Sequence, residues 1–484
     1  MPQRANYALY WPPVGLVLLA AALRLPWLGA QSIAFDESFS LAVARADWPL
    51  LFEATLSDGV HPPLFYILHK ANLALFGGSE FGQRFGAAGF SLLGVALLFW
   101  AGRCLFSRQV GLWAALLLAL NPVHIWLAQE ARMYSPLAAL VISSMVVFWQ
   151  ALRFGRRQHW VGLAVINALI FGLHYFGFLV PVIQFGYILT TFRRHHHQLR
   201  LWVMAQGTAL LPLLPWLAAT ATREAQTFGI GFLQKPALVD LPVTFWNLVT
   251  GATGREWPIG VILAVGSAVA LAAALRPPRC RAAWLLVLWW AMAPPLLTWL
   301  ISQRRSFYAD RYLVLAIPAL MLLLAVAVHR RRFWAVALTA LLMAGVLVTR
   351  LDPAFQKDDW RAAAAYISSQ SQSGDVILLY STHISLVFNY YYRGQVPVKP
   401  ISLNLEHFDL ESLTAQANRA WMVYPYTRRP THYPMQPLLP HGYWSTDPTR
   451  NPRLVQWFEA HAGGVADYRH FRGVEVWLVD LTDH

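Results

Sequence analysis

The sequence predicts a polytopic α-helical membrane protein that ends in a small α/β domain. Apolar residues make up 57% of the 484-residue chain and charged residues only 13%, with a mean hydropathy of +0.42. A soluble protein of this length would need far more charge for its surface. The apolar residues come in blocks of about 16–22, the length of a helix crossing roughly 30 Å of hydrocarbon. Arginine gathers in the short loops between alternate blocks, the charge bias of cytoplasmic loops.

In chain order, about eleven spans are expected. They lie near 11–30, 84–102, 109–128, 135–152, 159–174, 177–192, 200–220, 257–275, 282–301, 312–328 and 333–350. The fifth and sixth are short and separated only by His174-Tyr175-Phe176-Gly177. The basic loops read GRCLFSR, RFGRRQH, RRHHHQLR, RPPRCR and HRRR. Their alternation places the N-terminus inside and everything after residue 350 outside. The block 62–76, PPLFYILHKANLALF, would reverse every later loop if it crossed, so it is expected along the interface as an amphipathic helix. Residues 1–350 thus form a transmembrane domain with a long first outer loop at 31–83. Residues 351–484 form an outer domain, in which DDWRAAAAYISSQ reads as a helix and DVILLY, RAWMVYP and VEVWLVDL read as strands.

The net charge of +14 suggests nucleic acid, but its place in the inner loops argues for a membrane surface, and no basic helix or finger motif is present to read bases. Cys104 and Cys280 fall in basic inner loops, where a disulfide is not expected, and two cysteines are too few for a zinc finger. The first apolar run lacks a small-residue cleavage site after Leu25-Pro26-Trp27 and is expected as an uncleaved span. His195, His196 and His197 stand beside Arg193 and Arg194 and read as a solvated surface patch rather than a metal tract.

Chemistry is expected on the outer side. Arg132 in AQEARMYSP, with Tyr134, and Arg304, Arg305 and Arg311 in SQRRSFYADRY oppose the charge bias. Guanidinium groups at a membrane edge suit a lipid-borne phosphate, with snorkelling to ordinary headgroups as the other reading. Arg24, at the outer end of the first span, carries the same two readings. FDESFS places Asp36 and Glu37 just after that span. A carboxylate at a partly dehydrated edge suits a general base, while Asp and Glu in a first helical turn also suit a plain cap. His61 precedes a double proline in DGVHPPLFY, and Glu130 and His174 fall on the same side.

Together FDESFS, HPPLFY, AQEARMYSP, HYFG and DRYLVLAIP resemble the membrane glycosyltransferases that use polyprenyl-phosphate sugars. These include the protein O-mannosyltransferases and the aminoarabinose transferases of lipid A, with the C-type glycosyltransferase fold. The resemblance rests on the order of the motifs and their membrane side, and covers most of residues 1–350. It implies Asp36 as catalytic base with Glu37 as the adjoining acid. Arg305, Arg311 and Tyr312 would bind the donor phosphate, and His61, Glu130, Arg132, Tyr134 and His174 the acceptor or sugar. Glu130 departs from the Asp common in the family at its place. No metal or other cofactor is expected, since one histidine with one acid makes a poor metal site, with a divalent metal held by His174 and an acid as the other reading.

The function expected is transfer of a sugar from a polyprenyl phosphate to an acceptor hydroxyl or amine outside the plasma (inner) membrane, with inversion. Its partners are the lipid-linked donor, membrane lipids and a protein, lipid or glycan acceptor, without nucleic acid. A polysaccharide polymerase or ligase using lipid-pyrophosphate oligosaccharides is the alternative. A transporter fits less well, because the span centres carry almost no ionisable residues.

Overall fold

The computed structural model describes residues 11–221, 235–251, 280–329, 331–351, 355–380, 384–401, 410–425, 456–457, 459–461 and 464–482. The expected span at 257–275, with Trp257, and the Pro-rich piece 425–440 beyond its first residue lie outside them. The chain packs as two compact units. One comprises Met1–Leu28, Val43–Leu351 and Pro434–Pro437; the other comprises Gly29–Ala42, Asp352–Tyr433 and Leu438–His484.

The first unit is helical: α1 (Trp11–Arg24), α3 (Trp48–Asp58), α4 (Leu64–Phe76), α5 (Glu80–Leu105), α6 (Arg108–Leu120), α7 (Pro122–Ala128), α8 (Tyr134–Phe154), α9 (Arg157–Leu173) and α10 (Leu179–Thr190) precede further helices at Leu199–Leu210, Leu214–Ala221, Asp240–Thr250, Arg281–Ser302, Ile317–Val328 and Arg332–Leu351. α2 (Phe35–Arg45) begins in the second unit and ends in the first. Among the described residues, six helices are long and apolar enough to cross a membrane, or seven when α6 and α7, bent by 61°, count as one span. Shorter apolar helices occupy Trp11–Trp27, Leu64–Phe76 and Tyr175–Thr190. The chain is a multi-pass membrane protein.

Local chemistry sets the helix ends. Ser79 caps α5 by accepting the Gly82 N–H, and Ser107 caps α6 through Val110. Asn121 caps α7, and Pro122 occupies its first turn, where a missing N–H costs nothing. α5 and α6 meet backbone to backbone: a Cβ on Gly102 would lie 2.6 Å from the Gly111 Cα, and one on Gly111 2.5 Å from the Phe99 carbonyl oxygen. Small residues permit such contact between helices in lipid. Elsewhere in this unit Ser144, Asn167, Gln184, Gln206 and Trp202 hydrogen-bond to one another across four helices.

Arg24 is fully buried, and each of its five N–H donors is met. Nε donates to Ser91 Oγ (2.8 Å), Nη1 to the Ala20 and Ala119 carbonyls (3.2 and 3.0 Å), and Nη2 to the Leu118 carbonyl and His124 Nδ1 (3.3 and 3.0 Å). The Leu118 and Ala119 carbonyls belong to the last turn of α6 and carry its partial negative charge, and Leu118 also accepts the Asn121 N–H at 3.3 Å. Arg24 is a structural tie between α1, α5 and the α6–α7 break. His195 departs from the surface reading of the histidine triplet. It is buried and pairs with Gln198 Oε1 at 3.2 Å, while His196 and His197 are exposed.

The second unit is built on a five-stranded sheet of order β2-β1-β3-β5-β4: β1 (Asp375–Tyr380), β2 (Val398–Ile401), β3 (Arg419–Pro425), β4 (Val465–Phe471) and β5 (Val474–Asp480). β1 pairs in parallel with β2 and β3, and β5 pairs antiparallel with β3 and β4. Every residue of β1 is buried, as a near-continuous apolar run requires when both faces are covered. One face packs Trp360, Ile367 and Phe388 against Ile377, Leu379 and Trp421, and the other packs Leu410 and Trp457 against Leu378 and Met422. Asp375, at the start of β1, is held by Arg419 through two hydrogen bonds (2.9 and 2.8 Å) and by Trp421 Nε1 (2.9 Å). Burial works against its charge, but these donors and the Gln372 N–H outweigh it and hold the carboxyl below its ordinary range.

Candidate active site

In the membrane unit, four separate motifs converge. HPPLFY brings His61 to the start of α4, and EARMY brings Arg132 and Tyr134 to the α7–α8 turn. HYFG sets His174 after α9, and DRY sets Arg311 and Tyr312 in the 3-10 turn Asp310–Ala316. The His174 ring lies 5.2 Å from that of His61, 5.5 Å from Tyr312 and 6.2 Å from Tyr134. Tyr134 and Tyr312 are 6.5 Å apart, and the Arg311 guanidinium stands 5.3 Å from the centre of the Tyr312 ring. His61, Arg132, Tyr134, His174 and Tyr312 are buried, and Arg311 is half-buried.

The tautomers follow from these contacts. Arg132 Nη2 lies 3.4 Å from His61 Nε2, and a guanidinium only donates, so Nε2 accepts and the proton sits on Nδ1, 3.6 Å from Asp58 Oδ2. His174 Nδ1 accepts the Phe176 N–H at 3.0 Å, which places its proton on Nε2. That Nε2–H is buried and has no hydrogen-bond partner among the described residues. Burial, then His61, Arg132 and Arg311, hold the His174 ring well below the ordinary histidine pKa, so it stays neutral. The cluster therefore presents guanidinium charge, phenols and one neutral N–H donor, a set suited to a phosphate or sugar oxygen.

Supports that the sequence did not single out lie behind Arg311. Asp310 is fully buried and accepts from Thr244 Oγ1 and Asn247 Nδ2, both at 2.6 Å, while Tyr308 donates to Thr244 at 2.9 Å. Burial and nearby acids push the Tyr308 phenol well up, so it remains a donor. Arg304 and Arg305 are exposed, in contrast to Arg311. Glu130 is buried in the turn before α8, and its carbonyl accepts the Arg132 N–H at 2.8 Å.

Asp36 and Glu37 belong to the second unit. They open α2, and Glu37 Oε2 accepts the Ala34 N–H at 2.8 Å, so Glu37 closes one half of a capping box. The same oxygen receives Lys357 Nζ at 2.8 Å, with both side chains buried. Asp36 is half-buried, and its carbonyl accepts from Ser40 Oγ. Trp360 is packed in the core of this unit.

The described fold is that of the C-type membrane glycosyltransferases: a multi-pass helical unit followed by a small sheet-containing unit. Residues 60–218 match the family described as dolichyl-phosphate-mannose-protein mannosyltransferase. An undecaprenyl phosphate-alpha-4-amino-4-deoxy-L-arabinose arabinosyl transferase of Yersinia enterocolitica is 24% identical over 213 residues, 43% of this chain and 38% of that protein. Its counterpart in Yersinia pestis is 25% identical over 221 residues, 44% of this chain and 40% of that one. The chain thus spans 38–40% of the length of these curated relatives. Among solved structures, ArnT from Cupriavidus metallidurans in the apo state matches with a TM-score of 0.64 at 16% identity, covering 98% of both chains. The same protein bound to undecaprenyl phosphate gives 0.61 at 16% identity, over 97% of this chain and 98% of that one. The oligosaccharyltransferase AglB from Archaeoglobus fulgidus gives 0.52 at 14% identity, over 87% and 70%.

Proposed function

We propose that this protein is a membrane glycosyltransferase that moves a sugar from a polyprenyl phosphate to an acceptor hydroxyl or amine on the outer side of the plasma membrane. The observation that carries the proposal is the cluster of buried Arg132, Tyr312 and His174 with half-buried Arg311, in which the His174 Nε2–H is a donor still to be matched. The resemblance to transferases named for undecaprenyl-phosphate sugars supports it.

The chemistry gives each group a task. The acceptor oxygen attacks the anomeric carbon, its proton passes to a carboxylate, and the bond from the anomeric carbon to phosphate oxygen breaks with inversion. The electron pair leaves with the polyprenyl phosphate, whose charge rises from one negative toward two. Groups that hold the second charge more tightly than the first lower the barrier rather than merely binding substrate. Arg311 and Tyr312 take that task, with Arg305 at the exposed margin. His174 donates to a donor oxygen through its neutral ring, and His61, Glu130, Arg132 and Tyr134 orient sugar or acceptor. Asp36 is the base, since partial burial of a carboxylate favours its uptake of a proton. No metal or cofactor is required for this step. The N-terminus lies in the cytoplasm and the α/β unit outside, as the arginine-rich loops direct.

The test uses purified protein in lipid with a panel of radiolabelled polyprenyl-phosphate sugars, following release of the free lipid phosphate. Turnover lost in Asp36→Asn with donor binding retained supports transfer with Asp36 as base. Binding and turnover of lipid-pyrophosphate oligosaccharides alone would instead assign the chain to a polymerase or ligase.

A further inference from the structure

The segment carrying the proposed base is not an independent loop of the membrane unit. Residues 29–42 are built into the α/β unit by a chain of specific contacts. Ile33 is fully buried in that unit's core beside Trp360, Val387 and Phe388, and its N–H donates to Tyr391 Oη at 2.7 Å. Arg361 donates its N–H to Ser32 Oγ (3.2 Å) and its guanidinium to the Gly29 carbonyl (3.1 Å). Gln31 Oε1 accepts the Lys357 N–H at 3.0 Å. At the end of this seam Lys357 Nζ meets Glu37 Oε2 at 2.8 Å, with side chains 4% and 1% exposed.

Lys357 itself is fixed from behind. Arg472 Nε donates to the Lys357 carbonyl at 2.8 Å, and the Asp359 N–H donates to the Arg472 carbonyl at 2.7 Å. Asp359 then caps the helix Trp360–Gln370 through the Ala362 N–H. The β4–β5 turn thereby holds the strand of chain that carries Lys357. A carboxylate this deeply buried needs a matched cation, and its position follows that cation's position.

We propose that Lys357 is a positioning residue for the acid pair. By pairing with Glu37 it fixes the first turn of α2, and with it the adjacent Asp36, in the orientation that proton transfer needs. The inference rests on the assignment of Asp36 as base in the proposed transferase reaction.

Four variants in lipid test it: Lys357→Met, Glu37→Gln/Lys357→Met, Asp36→Asn, and Lys357→Met in the Asp36→Asn background. The double change leaves no buried charge and tests the same contact if Lys357→Met alone fails to accumulate. We expect kcat to fall about tenfold to a hundredfold in either Lys357 variant, with KM for the donor unchanged within about twofold. In the Asp36→Asn background, Lys357→Met should add no further loss, because residues that act as a unit are not additive. Wild-type kcat in the folded Lys357 variants, or an undiminished further loss in the Asp36→Asn background, overturns the inference while leaving Asp36 as base. Wild-type turnover in Asp36→Asn removes the base assignment and this inference with it.

Discussion

His174 shows how one side chain's partners decide its chemistry. With Nδ1 engaged by the Phe176 N–H and the ring held neutral, only Nε2–H remains to offer a ligand. His174→Ala should weaken donor binding about tenfold to a hundredfold, the ~1.5–3 kcal/mol of a hydrogen bond to a charged group, and His174→Gln should restore part of it. Equilibrium binding of radiolabelled donor measures both. The sign of the pH effect follows from the lowered pKa. The neutral ring's contribution to stability is complete above the ordinary histidine value, about 6.5, and is lost as pH falls below it, because the unfolded chain takes up the proton first. Thermal unfolding of wild type and His174→Gln between pH 8 and 5 should therefore diverge only on the acid side. Asp375 follows the carboxylate version of the rule. Its stabilisation is present above the ordinary aspartate range and lost as pH falls through its lowered value. Arg419→Met strands that carboxylate and should cost the α/β unit about 3–5 kcal/mol, read as a drop in its unfolding midpoint.

Helices and strands differ in how plainly the sequence announces them. The helices Glu80–Leu105, Tyr134–Phe154 and Arg281–Ser302 fall on apolar blocks visible by eye, because lipid demands such blocks. β1, β3 and β5 were equally plain as buried apolar runs. β2 and β4 were not: VKPI is four residues with a proline at the sheet edge, and VADYRHF is an exposed edge strand with little apolar alternation. The site divides the same way. Arg132 and Arg311 stand out as arginines that oppose the charge bias, and His61 and His174 through the motifs HPPLFY and HYFG, but what holds them does not. Thr244 and Asn247 reach Asp310 across 66 and 63 residues, and Lys357 reaches Glu37 across 320, distances at which no local pattern operates. Where α5 and α6 touch backbone to backbone, Gly111→Val should force them apart at about 1–3 kcal/mol or more, seen as a lowered unfolding midpoint in detergent.

For the molecule as a whole, the charge bias of the loops predicts an orientation, and the proposed function depends on it. Cys280 is exposed and stands in one of the basic segments assigned to the cytoplasm, while Cys104 is half-buried in the last turn of α5. A membrane-impermeant maleimide should label Cys280 in inside-out vesicles and leave it unlabelled in right-side-out ones. The reverse pattern would turn the protein over and place the proposed chemistry on the side that has soluble nucleotide sugars.

The tie around Arg24 bears on the order of events during synthesis. α1 leaves the ribosome before α6, yet the carbonyls that receive its guanidinium come from Leu118 and Ala119, some 94 and 95 residues later. Until α6 has emerged, the first helix carries a charge that lipid opposes by about 2.5–3.5 kcal/mol at a helix centre, and less near an end. The insertion machinery must therefore retain α1, or let it ride high in the bilayer, until its partners arrive. Nascent chains halted before Arg108 should leave α1 extractable or incompletely inserted, and chains extended past Ala128 should lock it in place. Arg24→Leu should remove that dependence on length.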